Sequence, residues 1–300
     1  MSATTPAGHT PYYFVPAPSR HPVMVAFGLL LVIFGAGQWV NGAGWAAWVL
    51  LAGMVIWLSV LFQWFSQAIG ESEGGLYSER IDVSYRWSMS WFIFSEVMFF
   101  AAFFGALFYV RNLSVPDLGA GSVTGNTLWP GYASQWPTAG PYVAEKFTPM
   151  GAIGIPLLNT IILLTSGVTL TIAHHALKAG RRGSLAFWLF ATVALGFTFL
   201  GFQIYEYMHA YSELNLKLSS GVYGSTFFML TRFHGAHVPI VPILLLVMLG
   251  RVLKGHFAAP RHFDFEAAAW YCHFLDVVWL LLFVLVSLLC PVPPHATARP

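Results

Sequence analysis

Glu96 is a single carboxylate inside the apolar segment WFIFSEVMFF, residues 91–100. An apolar surrounding penalises a charged group that has no partner, so this side chain needs a structural or a chemical reason to be there. Two interpretations stay open from the residue alone. Glu96 is either a protonated carboxyl that hydrogen-bonds a neighbouring helix, or a group that handles protons.

Histidines and carboxylates recur in other apolar segments. His234 and His237 lie three residues apart in TRFHGAHV, and His273 and Asp276 have the same spacing in YCHFLDVVW. Residues at i and i+3 share one face of a helix, so each pair can act together. Glu206 is a further carboxylate within an apolar run. A polar network that links the third, sixth and seventh helices is the use that we favour for this set.

Histidine pairs also raise the question of a metal site. The adjacent histidines of IAHHA, His174 and His175, add to the supply of imidazoles. However, the sequence lacks the repeated HxxxH and HxxHH boxes of membrane di-iron enzymes, and no cysteine-rich or carboxylate-rich cage compensates. The sequence therefore predicts no bound metal and no catalytic residue of its own.

Composition identifies the solvent of these helices. The chain has 300 residues, 57% hydrophobic and 9% charged, whereas an ordinary soluble domain is about 25% charged. Such a chain cannot cover a water-facing surface, so lipid is the expected solvent. The net charge of +2 and the absence of a phosphate-binding loop give no indication of nucleic acid. Cys272 and Cys290 are expected to be small core residues without a disulfide.

Seven apolar stretches are long enough to cross a membrane as helices, which takes about 20 residues. Open sheet edges cannot face lipid, so the fold class is an all-α membrane protein. The stretches cover residues 22–40, 44–66, 87–110, 153–177, 184–208, 222–250 and 267–290.

Lysine and arginine predict the orientation, because cytoplasmic segments carry an excess of both. With the N-terminus inside, the inner segments hold nine such residues and the outer segments four. We therefore expect a cytoplasmic N-terminus and a periplasmic C-terminus. Residues 112–151 then form an outer loop, which either packs on a partner or is solvated.

Long blocks of the sequence resemble one known family, subunit III of the haem–copper cytochrome c oxidases of the aa3 type. The resemblance runs over nearly the whole chain. It rests on IPLLNTIILLTSGVTLTIAHHAL (155–177), SSGVYGSTFFMLTRFHGAHV (219–238), HFDFEAAAWYCHFLDVVWLLLF (262–283), WFIFSEVMFF (91–100), QWFSQAIGESEGG (63–75) and YYFVPAPSRHPV (12–23).

This resemblance implies a two-part membrane fold. Residues 1–70 would hold the N-terminal tail and helices I–II, and residues 71–300 would form a bundle of helices III–VII. A lipid-filled cleft would separate the two bundles. The subunit would have no cofactor of its own apart from bound phospholipids, because haem a and copper belong to partner subunits.

The resemblance also implies partners and a role. The chain would pack mainly on oxidase subunit I, with subunit II and small subunits in the same complex and cytochrome c as electron donor. There it would support proton uptake and the durability of the active site during turnover. The alternatives are subunit III of a quinol oxidase and, from another class, a proton-coupled transporter. A bacterial plasma membrane is the expected location.

Individual residues take roles from the same resemblance. Glu96 would be the buried carboxylate that reacts with carbodiimides, facing His234 and His237. Trp64 and Glu71 would line the lipid cleft, and Arg251 and Lys254 would bind lipid phosphates. Cations at the inner interface also suit anionic head groups on physical grounds, although plain positive-inside topology explains them equally well.

Two positions depart from the family pattern. Cys272 stands where the family usually has an aromatic residue, and Arg232 stands where it usually has a small one. Arg232 lies one turn from the histidine pair. It is expected to pair with Glu206, with a lipid or with a partner group.

Overall fold

A computed structural model describes residues 17–119, 121–143, 147–255 and 262–289, and in these ranges the chain is helical with no strand element. The helices are α1 His21–Val40, α2 Ala46–Glu73, α3 Glu79–Tyr109, α4 Val115–Asp117, α5 Val123–Leu128, α6 Ile155–Lys178, α7 Arg182–Ser212, α8 Gly221–His237, α9 Ile240–Lys254 and α10 Phe263–Leu282. Two π-helical turns, Val110–Ser114 and Phe283–Leu288, follow α3 and α10 directly.

Seven of the described helical stretches are long and apolar enough to cross a membrane, as the sequence predicts. The prediction of an all-α membrane fold is therefore confirmed. The third stretch covers Glu79–Asp117, so its helix begins eight residues before the predicted start at residue 87. The extra turns are polar and include an Arg86–Asp82 contact of 2.8 Å. Hydropathy detects only the part that lipid surrounds, and helices extend beyond it.

The chain divides into two compact units, one up to Trp87 and one from Ser88 onward. A boundary at residue 70 and the two-bundle arrangement with a lipid-filled cleft stay predictions. In the first unit α1 and α2 pack at close range across glycines. A Cβ atom at Gly35 would lie 2.5 Å from the backbone nitrogen of Leu50, and one at Gly53 would lie 2.7 Å from that of Val32. Small residues allow helix backbones to approach this closely in lipid.

The second unit packs α6, α7, α8, α9 and α10 around two apolar clusters. One is built on the side chains of Phe199, Phe228 and Trp279. The other is built on those of Leu189 and Phe265. The helices carry many exposed Leu, Phe and Trp side chains on their outer faces, as a lipid-facing surface requires.

The sixth span is broken between α8 and α9, at Pro239. Proline has no backbone N–H and cannot complete the helical hydrogen-bond pattern. The backbone N–H of Val238 still reaches the carbonyl of His234, and the next helix begins at Ile240. His237 is thus the last residue of α8, immediately before this break.

The long loop after the third span packs on its own chain. The backbone N–H groups of Val222 and Tyr223 donate to the carbonyls of Ala139 and Thr138. The ring of Tyr223 is almost fully buried and stacks on Phe147 at a centroid distance of 5.3 Å. The described part of the loop therefore covers the start of α8.

The orientation of the chain stays a prediction. Three of the cations that it counts, Lys146, Arg261 and Arg299, lie outside the described residues, as do both termini and Cys290. Cys272 is buried on α10 among apolar neighbours.

Candidate functional site

Glu96 on α3 meets His237 at the end of α8. The Oε2 atom of Glu96 lies 3.0 Å from the Nε2 atom of His237, and both side chains are largely buried, at 17% and 20% exposed. The distance is that of a hydrogen bond, but the angle departs from an aligned one, so Oε2 has no well-directed donor among the described residues. The contact is best described as a close acid–base pair.

The second ring nitrogen of His237 fixes how this pair can share a proton. Nδ1 lies 2.6 Å from the backbone carbonyl of Phe233, and a carbonyl can only accept, so Nδ1 carries a hydrogen. Nε2 then either accepts a proton from a neutral Glu96 carboxyl or donates one to its carboxylate. The two states differ by one proton moved across 3.0 Å.

Two phenylalanines of α3 pack against the imidazole of the pair. The rings of Phe99 and Phe100 lie 5.9 and 5.5 Å from the imidazole of His237. Phe100 is 2% exposed, so this side of the pair is closed by apolar surface. A low-polarity surrounding strengthens the interaction between the two groups and makes an unpaired charge costly.

His234 points to a different helix from His237. Its ring is fully buried, with Nε2 at 3.2 Å from the backbone carbonyl of Leu275 on α10. The indole of Trp279 lies 5.2 Å away between ring centroids. The two histidines therefore join α8 to two neighbours, α3 through His237 and α10 through His234.

The predicted pair His273 and Asp276 lies at the crossing of α10 and α6. Nδ1 of His273 is 3.3 Å from Oδ2 of Asp276, and Nε2 is 3.4 Å from the hydroxyl of Thr171. A Cβ atom at Gly167 of α6 would lie 2.8 Å from Oδ2 of Asp276. A glycine at this position therefore lets α6 approach the carboxylate.

Glu206 and Arg232 belong to another part of the bundle. Glu206 on α7 is 4% exposed, and its Oε2 atom has no hydrogen-bond donor among the described residues. The guanidinium of Arg232 donates to the hydroxyl of Tyr211 and covers the ring of Phe228 at 4.9 Å. Tyr211 is thus the described partner of Arg232.

The two cations predicted to bind lipid differ in their surroundings. Arg251 is buried at the end of α9, and its Nη1 donates to Oδ2 of Asp264 at 2.6 Å. Lys254 is exposed one turn later. The contact to Asp264 shows that Arg251 has a structural role in joining α9 to α10, which the sequence did not indicate.

Trp64 and Glu71 lie along the second half of α2. The ring of Trp64 stacks on His21 at 6.1 Å. Glu71 accepts hydrogen bonds from Gln67 and from the hydroxyl of Tyr77, at 2.8 and 2.9 Å. Burial raises the pKa of Tyr77, and its hydrogen bonds with Tyr85 and Glu71 raise it further. The phenol therefore keeps its proton and its contact with the carboxylate.

A further cluster combines residues that sequence analysis did not bring together. His174 near the end of α6 meets His262 and Glu266 at the start of α10, and their ligand atoms lie within 4.8 Å of one another. The signal was present in HFDFE (262–266), where His262 and Glu266 share a helix face at i and i+4. The position of His174 beside them depends on the packing of the two helices.

Comparison with known proteins decides the family. The family model described as cytochrome c oxidase subunit III matches residues 10–290. This chain belongs to the cytochrome c oxidase subunit III family. Proteins named cytochrome c oxidase subunit 3 from Felis catus and Latimeria chalumnae are each 40% identical to it over 273 residues. The corresponding protein of Loxodonta africana is 38% identical, and the match covers 91% of this chain and 95% of that protein.

Membership confirms the resemblance seen in the sequence motifs. A cytochrome c oxidase subunit III is part of a complex with other oxidase subunits, in a respiratory chain whose oxidase pumps protons. With seven helices able to cross a membrane, the chain is a multi-pass membrane subunit.

Proposed function

We propose that this chain is the non-catalytic subunit III of a proton-pumping cytochrome c oxidase and supports proton uptake and the durability of the complex during turnover. The observation that carries the proposal is the Glu96–His237 pair, an acid and a base 3.0 Å apart, with the rings of Phe99 and Phe100 packed against the imidazole. Such a pair can hold a proton in either of two places. Oxygen reduction would then take place in partner subunits that contain haem a and copper.

The main partner in this proposal is subunit I, with subunit II and small subunits in the same assembly. The exposed apolar side chains of the described helices supply surface for both protein and lipid contacts. The names of the relatives favour cytochrome c as the donor to the complex. A quinol oxidase subunit and a proton-coupled transporter are less well supported.

Phospholipid binding is the second part of the proposed role. At the end of α9 Lys254 is exposed, whereas Arg251 is buried and donates a hydrogen bond to Asp264. Lys254 is therefore the better candidate for an anionic head group. Trp64, with its exposed ring surface, is the candidate for contact with acyl chains or head groups on α2.

The proposed location is a bacterial plasma membrane, with the N-terminus cytoplasmic and the C-terminus periplasmic. The excess of lysine and arginine in the predicted inner segments supports this orientation. Labelling of single introduced cysteines in intact and permeabilised cells tests it.

Purification of the tagged chain from its native membrane in mild detergent tests the assignment. A co-purifying haem a spectrum and oxygen uptake driven by reduced cytochrome c are expected. A colourless preparation, or one that oxidises only quinol, would contradict the proposal.

A variant of Glu96 tests the role of the acid–base pair. Glu96→Gln keeps the shape of the side chain and removes its ability to bind and release a proton. We expect normal assembly and haem content, slower proton uptake and faster loss of activity during turnover. Glu79→Gln changes an exposed carboxylate at the start of the same helix and is the matched control. Unchanged proton uptake and unchanged turnover lifetime in Glu96→Gln would reduce Glu96 to a packing role.

A further inference from the structure

Three side chains of ligand type meet where the fourth span ends and the seventh begins. Oε1 of Glu266 lies 3.2 Å from Nε2 of His262 and 3.7 Å from Nε2 of His174. The three side chains are 13%, 12% and 21% exposed. Two imidazoles and one carboxylate are a ligand set that zinc uses in proteins.

The spacing of these atoms fits a shared ion. Ligand atoms at about 2.0–2.1 Å from a tetrahedral Zn²⁺ lie about 3.3 Å from each other. The two measured separations from Oε1, 3.2 and 3.7 Å, bracket that value. The centroids of the two imidazole rings lie 5.5 Å apart, and their planes are inclined at 64°. All three ligand atoms lie within 4.8 Å of one another, so the side chains would have to draw closer together to bind one ion.

The hydrogen-bond pattern is a second observation that points to a ligand. Nε2 of His174 and both ring nitrogens of His262 are buried and have no hydrogen-bond partner among the described residues. Nε2 of His262 is close to the carboxylate but not directed at it. Buried imidazole nitrogens are normally satisfied, so these atoms have free ligand capacity in the described part of the chain.

The charge of the cluster selects a cation as its occupant. The carboxylate of Glu266 would repel an anionic head group placed between the rings. The carbonyl end of the α6 helix dipole lies within the next turn and favours positive charge, whereas the N-terminal end of α10, where His262 and Glu266 lie, opposes it. The cation Lys178, one turn after His174 on the same helix, weakens this preference.

We propose that His174, His262 and Glu266 form a Zn²⁺-binding site that joins the end of α6 to the start of α10. The site supplies three protein ligands and leaves the fourth position of a tetrahedral ion to water or to a partner subunit. It lies apart from Glu96 and does not depend on the function proposed for the acid–base pair.

Equilibrium dialysis of the intact oxidase complex against ZnCl₂ tests the site, with bound zinc counted per haem. The double variant His174→Gln/His262→Gln is expected to bind one Zn²⁺ fewer than the wild-type complex. His175→Gln is the matched control, because His175 is the neighbouring residue, is exposed, and directs Nδ1 at the carbonyl of Thr171. Equal zinc content and affinity in the double variant and the wild type would overturn the proposal.

Two further measurements keep the test decisive if the double variant does not assemble. Glu266→Gln has the same shape and is expected to bind Zn²⁺ about tenfold more weakly or worse, since removal even of outer-shell groups costs about 10- to 100-fold. Unchanged affinity in Glu266→Gln would contradict the site. Diffraction from wild-type crystals soaked in Zn²⁺ should give an anomalous peak between the three side chains at the zinc edge. A saturated soak without that peak would also overturn it.

Discussion

The Nε2 atom of His237 lies 3.0 Å from the Oε2 atom of Glu96, and this contact joins the third span to the sixth. His237 is the last residue of α8, immediately before the break at Pro239. The last turn of a helix is the one least constrained by its own hydrogen bonds, so the orientation of this ring needs a further contact. The hydrogen bond from Nδ1 to Phe233 orients the ring. The helical path alone would not hold the imidazole toward α3.

A double-mutant cycle measures the strength of the Glu96–His237 contact. Glu96→Ala and His237→Ala are each expected to lower the free energy of unfolding by about 1–3 kcal/mol, because each leaves the other group unpaired in an apolar surrounding. The coupling energy should be about 0.5–3 kcal/mol. Denaturant unfolding of the detergent-solubilised complex provides the measurement. Strictly additive single effects would show that the two side chains do not interact.

Gly167 is required for the approach of α6 to α10. In Gly167→Ala the new methyl group would lie 2.8 Å from Oδ2 of Asp276, a contact that forces the helices or the carboxylate to move. We expect a loss of about 1–3 kcal/mol, in the range for overpacked cores. The thermal midpoint of the complex is the readout.

Gly201→Ala is the control for that substitution. Gly201 is exposed within α7 and has nothing within 4 Å of its Cβ position. Alanine is the better helix former, so stability should stay equal or rise slightly. A similar loss in both variants would point to a general effect of the change and not to the α6–α10 crossing.

The helices could be predicted from the sequence because lipid imposes a length and a composition on each span. The contact of Glu96 with the α8 histidines was implied by the family resemblance, and it agrees with the need of a carboxylate inside the membrane for a polar partner. The sequence could not show which of His234 and His237 contacts Glu96. Residues three apart differ by about 60° around a helix. In a bundle that difference is enough to direct one ring to α3 and the other to α10.

The partners of the charged residues at the helix ends were not predictable from the sequence. Arg251 meets Asp264 across the segment that connects α9 to α10, and His174 meets Glu266 between α6 and α10. Both contacts depend on the path of loops and on where each helix begins. A hydropathy pattern carries no information on either, so the sequence assigned Arg251 only to a lipid phosphate or to the positive-inside topology.

The Arg251–Asp264 pair is expected to stabilise the junction of α9 and α10. Arg251→Met should lower stability by about 1–3 kcal/mol, because it removes a charge-assisted hydrogen bond from a buried donor. Lys254→Met changes an exposed cation in the same helix end and should alter stability little. Lys254→Met should instead reduce the anionic phospholipid that co-purifies, measured by mass spectrometry. The opposite pattern would make Arg251 the lipid ligand and Lys254 structural.

The contacts of Tyr77, in the segment between α2 and α3, predict that the stability of the fold depends on pH. Burial and the hydrogen bonds with Tyr85 and Glu71 raise its pKa, so the folded state holds the phenolic proton more tightly than the unfolded state does. For a group with a raised folded pKa, the stabilisation is complete below the unfolded value, about 10, and is lost as the pH rises above it.

Tyr77→Phe is therefore expected to have a flatter stability profile than the wild type above about pH 10, the ordinary tyrosine pKa. The variant also loses the 2.9 Å hydrogen bond to Glu71, so it should be less stable at neutral pH. Thermal midpoints between neutral and alkaline pH provide the comparison. Tyr142→Phe, at a residue that is 82% exposed, should follow the wild-type profile. Parallel curves for wild type and Tyr77→Phe would mean that the Tyr77 proton is not held by the fold.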